Sequence, residues 1–78
     1  MTKFDIILNR VDAVKKFNTA CSKADFDVDV ISGRYFIDGK SIMGLFSLDV
    51  SKPVACQIHT EDPEKIQAFK TEIAYCLI

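Results

Sequence analysis

Apolar positions along this chain switch between two periods. From Lys3 to Asn9, Phe4, Ile6 and Leu8 alternate with Asp5, Ile7 and Asn9, the period-two pattern of a half-buried strand. Between about Val11 and Ala24 the spacing changes. Val14, Phe17 and Cys21 recur at steps of three and four beside Ala13, Ala20 and Ala24, while Lys15, Lys16, Asn18, Ser22 and Lys23 fall elsewhere. That spacing predicts an amphipathic helix with a narrow apolar face, capped by Asn9 or Asp12. Alternation returns from Asp25 to Ser32, with Phe26, Val28 and Val30 on one side and Asp27 and Asp29 on the other. Ser32-Gly33 then signals a turn. Tyr35, Phe36 and Ile37 form a short strand stopped by Asp38-Gly39, and the two strands read as a hairpin.

Ser41 to Leu48 is short but follows helical logic. Ser41 suits an N-cap, Ile42 and Phe46 lie four apart on one face, and Leu45 and Leu48 lie three apart on another. After Pro53, Val54, Cys56 and Ile58 alternate with Ala55, Gln57 and His59 as a fourth strand. Asp62-Pro63-Glu64 is the clearest helix start: a capping carboxylate, proline at the first helical position, an acid in the first turn. Ile66, Phe69, Ile73 and Cys76 or Leu77 line one face of that helix. The order is β-α-β-β-α-β-α. Two long helices cover one sheet face and leave the other, carrying Asp5, Asp27, Asp29 and Gln57, to solvent, an α+β open-faced sandwich.

Composition narrows this further. The length of 78 residues fits one domain over 1–78, burying roughly 60–65% of its unfolded surface. Hydrophobic residues at 49% and charged residues at 27% exclude a disordered tail, and no apolar run approaches the roughly 18 residues of a membrane span. A net charge of −1 without a basic block gives a nucleic-acid partner little electrostatic support. The odd set of Cys21, Cys56 and Cys76 fits neither a disulfide framework nor a zinc signature. With no secretory apolar core near Met1, free thiols point to the cytosol. Cys76 stands third from the end, where prenylation needs the fourth.

Catalytic material is sparse. His59, at the end of the fourth strand, offers a base or a ligand, but a metal site needs converging donors, and the plainer reading is a surface residue. The cysteines read as small buried hydrophobes, since no basic neighbour depresses a thiol pKa. Gly33, Gly39 and Gly44 form no dinucleotide fingerprint. No metal or cofactor is expected. The informative stretch is Lys40-Ser41-Ile42-Met43-Gly44-Leu45-Phe46-Ser47-Leu48, whose apolar content is high for so short a helix. Either it packs flat into the core, or Ile42 and Phe46, with Met43, stand partly exposed as a docking patch. A phosphoryl group on Ser41 would sit at the helix N-cap, favoured by roughly 0.3–1 kcal/mol, and would add charge beside that patch.

Lys40-Ser41-Ile42-Met43-Gly44, with its apolar continuation, resembles the regulatory-serine motif of the histidine-containing phosphocarrier proteins (HPr) of the bacterial phosphoenolpyruvate:sugar phosphotransferase system. The resemblance extends over essentially the whole chain. It implies an HPr-like sandwich: a four-stranded antiparallel sheet with the helices on one face. The family carries phosphate on a histidine at the start of the first helix, followed by alanine, arginine and proline. Counting back from the serine motif places those positions at Arg10, Val11, Asp12 and Ala13, so the nucleophile is missing and an acid replaces the arginine. Arg10 is no substitute, because a guanidinium stays protonated. In the family's sheet the fourth strand is antiparallel to the first, which puts His59 at the far end from the carrier site.

The regulatory serine is matched by Ser41, and the resemblance implies that protein partners of phosphotransferase or transcription-regulator type dock on Lys40, Ile42, Met43 and Phe46. Histidine lost and serine kept looks like the catabolite-repression paralogue of HPr, a non-enzymatic binder of regulators. Two other readings stay open: a phosphocarrier using another acceptor such as Asp12, and an interaction module that keeps only the fold.

Overall fold

The computed structural model describes residues 1–49 and 51–78. It runs β1 (Thr2–Ile6), α1 (Val11–Lys23), β2 (Val28–Ser32), β3 (Tyr35–Asp38), α2 (Ile42–Phe46), β4 (Val54–Ile58) and α3 (Pro63–Glu72), with a 3-10 turn over Ala74–Cys76. The expected element order is present. All three strand pairs are antiparallel and the sheet order is β1-β4-β2-β3. β4, fourth in sequence, therefore lies between β1 and β2, buried within the sheet, while β3 stands at an edge.

One sheet face carries the core. Ile6, Val28, Val30, Val54, Cys56 and Ile58 meet Val14, Phe17, Ala20 and Cys21 of α1, together with Leu45, Phe69, Ile73 and Cys76. The helical and strand periods read from the sequence thus select the residues that are buried. Phe69 is the main apolar anchor of α3. Its ring meets Phe17 edge-on at 6.3 Å and Phe26 at 5.7 Å. The α3 start is as expected, since Asp62 accepts from the Glu64 amide at 3.0 Å with Pro63 at the first helical position. Two ion pairs fasten this helix to the far end of α1 and the approach to β2: Lys23 with Glu72, and Lys65 with Asp25 at 2.7 Å.

Gly33 has φ of +60° and is the only one of the described residues with positive φ, so the Gly33-Arg34 loop places its left-handed residue first. That is the arrangement of a II′ turn, which matches the twist of the flanking strands.

Four expectations need correction. The first strand stops at Ile6 instead of Asn9, because its pairing with β4 ends at Ile6–Val54. Beyond it Ile7 N–H donates to the Cys76 carbonyl and Leu8 is buried without being in the strand. The second strand starts at Val28, three residues after the alternation, since its ladder with β4 begins at Val28–Ile58. Neither Asn9 nor Asp12 caps α1; the cap position is Arg10, which has no acceptor and makes no side-chain cap bond. The last helix ends at Glu72, and Ile73 and Cys76 reach the core through the following 3-10 turn.

Candidate functional site

α2 is held down on one side only. Leu45 is buried and Ile42 and Leu48 are half-buried, packed against the core. Met43 is 79% exposed and Phe46 is 45% exposed. Both readings of this segment are therefore met in part: Leu45 is core, while Met43 and Phe46 form an outward apolar pair. Gly44 permits the arrangement. A Cβ there would lie 2.8 Å from Ile37 Cγ2 on β3 and 3.2 Å from Ser41 Oγ, so a larger residue would force the Ile37 side chain or α2 to shift.

Ser41 caps α2 as its position suggested. Its Oγ accepts from Gly44 N–H at 3.2 Å, and its carbonyl accepts from Leu45 N–H. The hydroxyl remains exposed. Ser41→Ala is expected to lower stability by about 1 kcal/mol, while Ser41→Asp, which keeps an acceptor at the cap, should stay within about 0.5 kcal/mol of the parent. Urea unfolding separates these; equal losses would show that the cap bond is not what the serine supplies. Lys40 is tethered: its ammonium donates to the Ala24 carbonyl at 3.2 Å, linking the start of α2 to the end of α1.

The N-terminus of α1 adjoins this patch. Asn9, Arg10, Val11 and Val14 share a shallow hollow of about 120 Å³ with Leu45, Phe46 and Leu48. No stretch of sequence announces that Arg10 and Phe46 line one depression, because the two residues stand 36 positions apart (46 − 10). Arg10 Nε lies 3.3 Å from Asp12 Oδ1, with both side chains well exposed, so this pair is worth little in stability.

His59 lies elsewhere. The β1–β4 register puts Val54 beside Ile6, at the α1 end, and Ile58 beside Thr2, at the opposite end, roughly 13 Å of strand apart. His59 Nε2 is 2.6 Å from Asp29 Oδ2 on the neighbouring strand, a partner that the sequence did not reveal. Among the described residues no group of three His, Cys, Asp or Glu side chains converges as a metal site. The three thiols are free and buried. Burial pushes Cys76 up to about 11 and Cys56 up to about 12, and raises Cys21 further, so none is a ready nucleophile. Among the described residues no helix is long and apolar enough to cross a membrane.

Comparison with known proteins places this geometry. The sequence model of the PTS-HPr family, described as the PTS HPr component phosphorylation site, matches residues 11–75. No curated protein matches. Among solved structures, HPr-C-His from Thermoanaerobacter tengcongensis superposes with a TM-score of 0.75 at 26% identity, over 95% of this chain and 92% of that one. The histidine-containing phosphocarrier protein of Mycoplasma gives 0.72 at 20% identity, over 95% and 93%. A phosphocarrier protein HPr from Bacillus anthracis gives 0.70 at 17% identity, over 91% and 92%. The last two likenesses concern the fold alone.

Proposed function

The chain belongs to the PTS HPr family, and on that premise we propose that it is a non-enzymatic regulatory module of the sugar phosphotransferase system. In this reading residues 1–78 form one cytoplasmic HPr-like domain that binds protein partners and carries no phosphate on histidine. The observation behind it is the mouth of α1. Arg10 stands at the N-cap, at the position where counting back from Lys40–Gly44 puts the family's carrier histidine. A guanidinium is protonated at cellular pH and has no lone pair to attack phosphorus. Asp12, at the family's arginine position, is an acid that would repel a phosphoryl group rather than orient it. The sole histidine, His59, is at the other end of the sheet and engaged with Asp29.

Recognition is then the remaining task. Met43 and Phe46 present apolar surface, Ile42 extends it towards the core, and Lys40 anchors the segment to α1. Phosphorylation of Ser41 would place about two negative charges on the rim of this patch while leaving oxygens to accept from the Gly44 amide. Such a modification changes which partner fits without requiring α2 to unwind.

A paired assay tests the reading. With phosphoenolpyruvate and the general phosphotransferase enzyme the protein should stay unlabelled. With a serine kinase of this system it should take an acid-stable label that Ser41→Ala abolishes. Acid-labile phosphate from phosphoenolpyruvate that survives Ser41→Ala would instead identify a carrier, with Asp12 as the first acceptor to replace. If neither enzyme labels the protein and Phe46→Ala leaves all interactions intact, only the fold has been kept.

A further inference from the structure

The free edge of the sheet adjoins α2, whose cap residue Ser41 donates its N–H to the Asp38 carbonyl of β3, but its outer side lies beyond the α2 patch. β3 is the outer strand, with β2 on one side only. Its successive residues Tyr35 and Phe36 are 67% and 66% exposed although they point to opposite faces of the sheet. An edge strand with bare aromatics on both faces is a template for another strand, and natural edges are usually blunted by proline, bulges or inward charges. The stretch Tyr35-Phe36-Ile37 has none of these.

The backbone polarity follows from the register. Ser32 and Tyr35 close the two-residue turn, and Gly39 N–H donates to the Val28 carbonyl at 2.7 Å. Mutually bonded pairs therefore fall at 32–35, 30–37 and 28–39, and Ile31–Phe36 is a non-bonded pair. The N–H and C=O of Phe36 consequently point away from β2, along the open edge.

We infer that β3 pairs antiparallel with β3 of a second copy of this chain about a two-fold axis at Phe36, joining two sheets into one. The charges select this occupant and this direction. Centred on Phe36, antiparallel pairing sets Arg34 opposite Asp38 of the second copy and Asp38 opposite its Arg34. Tyr35 then faces Ile37, and the two Phe36 rings meet on the open face. A parallel arrangement would set Arg34 against Arg34 and Asp38 against Asp38. Arg34 makes no ion pair among the described residues, and Asp38 accepts only from the Lys40 amide through its side chain, at 2.9 Å. Both are thus available to a partner. The Asp38 carbonyl already accepts from Ser41 N–H, so the new ladder is short and the dimer weak.

Sedimentation equilibrium of the full chain from about 20 μM to about 2 mM tests this. The weight-average mass should rise toward twice the monomer. Arg34→Asp and Asp38→Arg should each weaken association about tenfold, because each turns two attractive pairs into repulsive ones. Mixing the two variants should restore it to at least the parent level, since each then offers what the other lacks. Phe36→Pro, which removes the outward N–H without touching the β2 ladder, should abolish it. A sample mixing isotopically labelled and unlabelled parent protein should give intermolecular NOEs between Tyr35 and Ile37, independent of any variant. A parent that stays monomeric at about 2 mM overturns the inference. So does association that survives Phe36→Pro but is lost in Met43→Lys, which would put the contact on α2.

Discussion

Phe69→Ala is expected to remove about 3–5 kcal/mol of stability, enough to detach α3 from the rest of the molecule. The side chain is nearly fully buried, and it is the only residue within the Pro63–Glu72 helix in that state. Its ring holds both Phe17 of α1 and Phe26 ahead of β2 in edge-on contact, each such pair being worth about 0.5–1.5 kcal/mol beyond area. The ion pairs do not compensate. Lys23–Glu72 and Lys65–Asp25 are substantially exposed, and pairs of that kind contribute about 0–1 kcal/mol each. A domain of this size has a total of roughly 4–12 kcal/mol, so the aromatic anchor is a large share of it. Urea unfolding followed by circular dichroism measures the loss, and hydrogen exchange should show the α3 amides opening first. Should Lys65→Ala destabilise more than Phe69→Ala, the helix is held by charge and this account fails.

Alkaline pH is expected to unfold the protein well below the range where a thiol-free variant would unfold. In the unfolded chain the thiols ionise near the ordinary value of 9.0, whereas in the fold burial holds Cys76 to about 11, Cys56 to about 12 and Cys21 higher still. Above pH 9 the folded state therefore binds more protons than the unfolded state, and stability falls as pH rises. The stabilising contribution is complete below the unfolded value and is lost as pH climbs through the folded values. Each thiol removes about 1.4 kcal/mol per pH unit, so the three together remove about 4 kcal/mol per unit between about pH 9.5 and 11. Burial of Tyr75 also raises its phenol, to about 12, but the ring is half exposed and adds little. Urea midpoints taken between pH 7 and pH 11 should be flat at first and then drop steeply, and replacing the three cysteines with alanine should flatten the drop. A midpoint that does not move between about pH 9 and 10.5 would mean the thiols are not held protonated by the fold.

Local chemistry was readable wherever a residue acts on its own backbone neighbourhood. Asp62-Pro63 starts α3 where the capping rule places it, Ser41 caps α2, and Gly33 sits in the tight turn. The apolar sets at period two and at steps of three and four contain most of the buried residues, because which face an element hides is decided by the residues on it, while Phe4, Phe26 and Ile66 of those sets are half-buried and Phe46 is exposed. The ends of β1 and β2 were misread for the opposite reason. A strand stops where its partner stops, and the alternation of Ile7, Leu8 and Asn9 contains no information about Val54. The α1 cap position fell to Arg10, between the better capping side chains of Asn9 and Asp12, and no side chain caps the helix.

The family motif around Ser41, the absence of a histidine near Arg10 and the burial of the cysteines belong to the sequence by itself, since each depends on residue identity and short-range spacing. Tertiary structure alone decided that Met43 and Phe46 face outward while Leu45 is core, that Arg10 and Phe46 line one hollow, and that His59 meets Asp29. It also decided that β3 is left with an unpaired side. These facts arise from the insertion of β4 between β1 and β2 and the close seating of α2 on Ile37. Such long-range packing is a property of the whole sheet and leaves no periodic trace along the chain.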